Sequence, residues 1–334
     1  MLSHSVMTLA KNLYTSNARF VFELLQNAED NRYTRAQEQG HAPYVSFQVY
    51  NDRIIIEYNE DGFKEENVRA ICDVGRSSKA IRQQFNDLQE NVLLFMRNLR
   101  EIRISFLDNN GRVQSSTVFS ASKTDARRIK LTKSVTNGAE VARTSQIYHV
   151  TKHSVKSLPK HDDRTYSEEE GHKRAYAGAE IILAFPISDA SVPVIKPQDV
   201  FAFLPMRHMG FSANRQDIVA TSPRNQGIIE HISDAFIHSV LEFCEHPALR
   251  YTWMRFLPNK TQYPYDNFWS ILVNLIESKL HNASILLPQS EDSLRKISDL
   301  RELDPCLCDS KGEPLFRDVT PKKWLSRLYH REDV

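Results

Sequence analysis

The chain is predicted to be an α+β protein, and three observations carry that prediction. Residues 18–38 contain no Gly or Pro and repeat apolar side chains at helical spacing. Residues 44–58 and 101–185 break into short alternating segments punctuated by Asn, Asp and Gly, the pattern of half-buried strands joined by tight turns. Helical periodicity then returns over 228–244 and 269–280.

Taken in order, the first element is the helix over 18–38, with Asn17 as a plausible N-cap. Tyr44–Tyr50 alternates like a strand, Asn51-Asp52 supplies a turn, and Arg53–Tyr58 returns, so a hairpin is expected. Helical character resumes over Glu65–Val74. A further helix is expected over Asn86–Leu99, with Val92, Leu93, Phe95, Met96 and Leu99 on its apolar face. Strands are predicted at Ile102–Phe106, Val113–Ser120, Ile129–Val135 and Ile147–Val150, separated by turns at Asp108–Gly111 and Asn137-Gly138. Residues 156–178 read as a polar loop, and Glu180–Phe185 closes the sheet region. The proline-bearing stretch 188–197 is the expected linker. Beyond it come a strand over Val200–Met206, an amphipathic helix over Ile228–Cys244 and a second helix over Trp269–Leu280. The division is thus 1–187, a linker at 188–197, and 198–334.

Composition excludes several classes. Lys+Arg number 43 against 42 Asp+Glu, a net charge of +1. With no basic stripe interleaved with aromatics, no nucleic-acid partner is expected. There is no run of 18 apolar residues, so no membrane span is expected. No basic segment followed by an apolar one marks the N-terminus, so an intracellular protein, cytoplasmic or nuclear, is expected. Cys72, Cys244, Cys306 and Cys308 are too few and too scattered for a disulfide framework, and Cys306-x-Cys308 reads as two reduced thiols near a turn. Glycine is scarce: 10 in 334 residues, where roughly 7% is usual. The ten are never clustered, which excludes a P-loop and a dinucleotide-binding glycine turn.

The segment Arg19–Asn31 carries the chemistry. On a helix at about 100° per residue, Glu23, Asn27 and Asp30 fall on one face, while Val21, Leu25 and Ala28 form a stripe on the other. A carboxylate beside an amide oxygen suits a general base next to a Mg²⁺ ligand, because Mg²⁺ prefers hard oxygen donors. Further on, Ile54–Phe63 is a strand running into an acidic turn with one glycine. A short helix follows and leads into Gly75-Arg76-Ser77-Ser78-Lys79.

These segments resemble the GHKL ATP-binding superfamily, which unites gyrase, the ninety-kilodalton heat-shock chaperones, histidine kinases and MutL. Within it they look most like the sacsin-like and NO VEIN-like branch. ELLQNAED is similar to the family's N-box, NEDGF to that branch's short version of its first glycine box, and GRSSK to the Ser/Thr-Lys stretch that follows. The resemblance implies a Bergerat-type helix-on-sheet sandwich with a mixed, mainly antiparallel sheet, then an α/β segment and a mainly helical C-terminal region. It implies ATP and Mg²⁺ as ligands and a chaperone-like role with a protein client. Glu23 matches the general base, Asn27 the Mg²⁺ ligand, and Asp30 the acidic position one turn later. Glu60 matches the acid that accepts the adenine amino group, with Asn59 and Asp61 as alternatives. Gly62 would allow close approach of the base. Ser77, Ser78 and Lys79 would border ribose and phosphates. Phe201–Arg207 and Ser212–Asp217 are similar to segments further along that branch, and Arg215 matches the arginine that reaches the γ-phosphate.

The chain departs from the family at one place above all. After Lys79 the second glycine box should follow; instead Ala80–Phe85 runs directly toward LLFMRNLREIRI, and no glycine lies between Gly75 and Gly111. That box brings backbone amides to the polyphosphate. Between Gly210-Phe211 and Ser212 the chain also looks shorter than members of that branch, which insert a strand there. Two readings follow: an active ATPase, or a degenerate, non-hydrolysing module serving as a protein-interaction scaffold.

Overall fold

The computed structural model describes residues 19–62, 82–83, 85–86, 88–160, 175–195, 202–203, 222–258, 267–289, 291–310, 314–316 and 323–329. They fall into two compact units, the first ending at Tyr148 and the second starting at His149. The division passes inside a strand, N-terminal to the expected linker at 188–197.

In the first unit, α1 (Arg19–Glu29) buries Val21, Leu25 and Ala28, the stripe its periodicity predicts, and Leu24 as well. The expected helix over 18–38 does not run through. α1 stops at Glu29, and a separate single turn, α2 (Thr34–Glu38), follows. The interruption has a visible cause: Asp61 takes the backbone N–H groups of Thr34 and Arg35, which gives α2 its own N-terminus. β1 (Tyr44–Val49) and β2 (Ile54–Tyr58) form the expected hairpin, with Val45 opposite Tyr58 and Tyr50 N donating to Arg53 O at 2.9 Å.

β1 also pairs in parallel with β3 (Glu101–Leu107), setting Val45 against Ile102 and Phe47 against Ile104. β4 (Val113–Lys123) and β5 (Arg128–Asn137) add antiparallel neighbours, and β6 (Glu140–Val155) continues the order β2-β1-β3-β4-β5-β6. Directly paired residues share a face. Val45, Phe47, Ile102, Ile104, Phe119 and Leu131 therefore line one face, and all are buried. Ser46, Arg103, Ser105, Ser116 and Ser120 occupy the other. This is the alternation of a sheet with one packed side. Phe85 joins the packed side, its ring 4.9 Å from that of Phe47.

Residues 86–99 correct the sequence expectation. In place of a long helix there is a short 3₁₀ turn at Glu90–Phe95, and the backbone is extended at Met96. The backbone donors that would continue a helix are engaged elsewhere: the N–H groups of Arg97, Asn98 and Leu99 point to the carboxylate of Glu29. β6 is likewise far longer than the expected Ile147–Val150.

In the second unit, the C-terminal part of β6 is followed by β7 (Ala179–Ile187), whose residues Ile181–Ile187 are all buried, and by the short β8 (Ala202–Phe203), antiparallel to β7. β8 lies within the strand expected at 200–206. α3 (Pro223–Glu245) opens with proline, whose missing N–H is no loss in a first turn, and it contains the helix predicted over 228–244. α4 (Asn267–Asn282) contains the helix predicted over 269–280. Phe185, Phe236, Phe243 and Phe256 cluster, with centroids 5.0 Å apart for Phe185–Phe243 and 5.1 Å for Phe185–Phe256. A small parallel pair, β9 (Leu300–Arg301) with β10 (Lys323–Trp324), completes the described chain. The class is α+β with a mostly antiparallel sheet, as expected. Among the described residues no helix is long and apolar enough to cross a membrane.

Candidate functional site

The acidic turn after β2 gathers the most informative side chains. Asn59 accepts from the Tyr44 N–H through Oδ1 at 2.8 Å and donates through Nδ2 to Ala42 O at 2.8 Å, so it pins the chain entering β1. Asp61 accepts from the N–H groups of Thr34 and Arg35 at 3.0 and 2.8 Å. Those backbone donors, Arg35 first, hold its carboxyl below the usual carboxylate range. Both residues thus work on the backbone.

Glu60 differs. Its Oε1 is buried and finds no hydrogen-bond partner among the described residues. Burial is the main cause that raises its carboxyl above the ordinary value; the nearby charge of Asp61 adds to this, and a hydrogen bond from Asn31 opposes it. Tyr33 and Tyr58 lie near enough to feel its charge. Burial first, then Glu60, pushes Tyr58 up to about 12, and the same two causes, then Glu29, raise Tyr33. Tyr33 is itself almost fully buried and donates its hydroxyl to Ala28 O at 2.8 Å. A desolvated carboxylate with one free oxygen is an acceptor waiting for a donor. Gly62, next in line, has φ +121°, a conformation that side-chain-bearing residues rarely adopt, while the space around its Cα is open. The backbone, rather than crowding, demands glycine there.

Of the residues placed on α1, Asn27 is exposed and Asp30 lies exposed in the turn that ends the helix, its N–H still donating to Gln26 O at 3.0 Å. Glu23 stands on the same helix, but its side chain lies outside the described residues, as do Ser77, Ser78, Lys79 and Arg215. Among the described residues no group of three or more His, Cys, Asp or Glu side chains is placed to hold a metal ion. The Mg²⁺ expectation rests on one protein ligand, Asn27.

Sequence reasoning missed Glu29. Its carboxylate takes Asn98 N at 2.9 Å, Leu99 N at 2.9 Å and also Arg97 N, while Asn98 Nδ2 donates to Glu29 O at 2.9 Å and to Asn31 O at 3.3 Å. This ties the end of α1 to the segment entering β3. Arg100 closes the same turn by donating to the carbonyls of Met96, Arg97 and Leu99. Nothing in the spacing signals this, because Glu29 is off the Glu23/Asn27/Asp30 face and its partners lie about seventy residues away.

Comparison with known proteins gives a partial likeness. The chain is 40% identical over 78 residues to Protein NO VEIN of Arabidopsis thaliana, a stretch covering 23% of this chain and 3% of that protein. No family model matches. No solved structure matches.

Proposed function

We propose that the chain is an ATP-binding, chaperone-like protein of the GHKL type, in the branch that includes sacsin and NO VEIN. One observation carries the proposal: of the three polar residues in the turn after β2, only Glu60 keeps a buried carboxylate oxygen without a partner among the described residues. It stands where the resemblance puts the acid that recognises adenine. In this reading α1 lies over the apolar face of β1, β3 and β4 as a Bergerat-type sandwich. The exocyclic amine of adenine donates to Glu60, and Gly62 lets the ring approach. Asn27 would provide an oxygen to Mg²⁺, which keeps most of its waters. ATP and Mg²⁺ together would supply a polyphosphate whose negative charge the chain must meet with donors; Ser77, Ser78, Lys79 and Arg215 are the candidates. Glu23 would orient or deprotonate water at the γ-phosphate.

Binding without turnover is the form of this reading that the chain favours. The second glycine box is missing, and with it the amides best suited to polyphosphate. In addition, the amides of Arg97, Asn98 and Leu99 are already engaged by Glu29. The non-hydrolysing module would then act as a scaffold for a protein client.

Isothermal titration of the full chain with Mg·ATP tests both levels. The expected result is micromolar binding that Asn27→Ala abolishes and that Glu60→Ala weakens by roughly tenfold or more, the worth of a hydrogen bond to a charged group. No heat at millimolar nucleotide overturns ATP binding. Phosphate release above background, lost in Glu23→Gln, overturns the non-hydrolysing form.

A further inference from the structure

We propose that Cys306 and Cys308 form a peroxide-sensitive dithiol, with Cys308 as the attacking sulfur and Cys306 as the resolving one. The described cysteines sort sharply by surroundings. Cys244 is buried on α3, donates to Ile285 O at 3.2 Å, and burial pushes its thiol up to about 12. Such a thiol is inert toward oxidants. The other two lie at and just after the short turn 305–307 of the second unit. Cys306 is exposed in the short 3₁₀ turn Pro305–Leu307, and Cys308 is half-exposed, in a bridge to Pro314.

The placement of Arg327 separates the pair. Its Nη2 donates to Cys308 Sγ at 3.2 Å. The arginine comes from the turn after β10, nineteen residues on, so the contact is made by the fold and not by chain proximity. Cys308 donates its own S–H to Asp304 O at 3.3 Å. Among the described residues 304–310, the other charged groups are Asp304, whose Oδ1 accepts from Cys306 N at 2.9 Å, and Asp309. The guanidinium in contact with the sulfur sets a positive charge beside the position where the departing peroxide oxygen gathers negative charge. Residues two apart in sequence have Cα atoms within about 7 Å, so the chain itself holds the two thiols near the span a disulfide bridges.

The reaction balances with a hydroperoxide as the oxidant. The Cys308 thiolate attacks one peroxide oxygen; the S–O bond forms, the O–O bond breaks, and the departing oxygen takes a proton from solvent. Cys306 sulfur then attacks Cys308 sulfur, the S–S bond forms, the S–O bond breaks, and hydroxide leaves as water with the proton of Cys306. Two thiols lose two electrons and the peroxide gains them.

The experiment treats the reduced full chain with hydrogen peroxide and follows it by peptide mass spectrometry after alkylation. The expected result is an intramolecular Cys306–Cys308 bond, seen as the loss of two hydrogens and reversed by dithiothreitol. Cys306→Ser should leave a sulfenic acid on Cys308 that dimedone traps. Arg327→Gln should slow oxidation of Cys308 by roughly tenfold and leave alkylation of Cys306 by iodoacetamide unchanged, while Arg327→Lys restores most of the rate. The proposal is overturned if only intermolecular bonds form, if dimedone labels Cys306 and not Cys308, or if Arg327→Gln oxidises at the native rate.

Discussion

Asn59, Glu60 and Asp61 are consecutive oxygen-bearing side chains, and their neighbours give them different work. The family resemblance makes these three the candidates for the proposed adenine-facing position and favours Glu60. What separates them is contact with backbone far along the chain: Asn59 with Ala42 and Tyr44, Asp61 with Thr34 and Arg35. Such contacts leave no local pattern. Glu29 is the extreme case. It sits at the C-terminal end of α1, where a carboxylate opposes the helix dipole, yet three backbone N–H groups from 97–99 hold it. Replacing it tests that balance. Glu29→Ala should lower the stability of the chain by about 1–3 kcal/mol, because backbone donors of a partly buried turn lose their acceptor. Glu29→Gln, which keeps one acceptor oxygen, should lose less. Urea midpoints read the difference; equal midpoints for the native chain and Glu29→Ala would show that water replaces the carboxylate at no cost.

Among the elements, those with a strong period were legible and those set by distant partners were not. The amphipathic helices at 228–244 and 269–280 and the β1–β2 hairpin stand where their patterns put them. The stretch 86–99 has an equally helical pattern, but Glu29 and Arg100 draw off its donors and acceptors, and tertiary contact overrides propensity there. The contact between β6 and α3 was not legible either, since it joins polar residues of two elements. Glu242 of α3 is buried and takes Thr151 Oγ1 at 2.6 Å and His149 Nε2 at 3.1 Å. Beside this network His153 of β6 lies with its ring 6.3 Å from that of His231 and 6.0 Å from that of His238, both on α3. Burial is the main cause that lowers its pKa; His238, His231 and Lys279 of α4 act the same way, and Asp234 opposes them. A base whose folded pKa is depressed binds fewer protons folded than unfolded. Its stabilising effect is therefore complete above its ordinary pKa of 6.5 and is lost as pH falls toward the lower folded value. Stability to urea should fall between pH 7.5 and pH 5.5, and His153→Gln should lose measurably less over that interval. An identical pH dependence in the variant would remove His153 as a source.

Over the whole molecule, the scarcity of glycine proves to be local in meaning. Glycine does appear where the backbone must turn left-handed, as at Gly138 between β5 and β6 with φ +60°. The described turns that need a left-handed residue have glycine, so the shortage leaves the α+β architecture intact. The described chain holds together without glycine-rich loops because each unit has its own apolar core. In the second unit that core is aromatic. Phe185 of β7 meets Phe236 and Phe243 of α3 and Phe256 of the following 3₁₀ turn, and Phe243 in turn meets Phe256 at 5.5 Å and the ring of buried His149 at 5.0 Å. Phe243 is fully buried and touches strand, turn and polar network at once. Its truncation removes transfer energy and leaves a cavity that rings held by three elements cannot close. Phe243→Ala should therefore cost about 3–5 kcal/mol, and Phe243→Leu markedly less because most of the volume remains. Chemical denaturation followed by tryptophan fluorescence reads this directly, since Trp253 is buried in the same unit. A loss below about 1 kcal/mol in Phe243→Ala would mean that the aromatic cluster collapses around the gap, and that the core of the second unit is looser than these ring distances require.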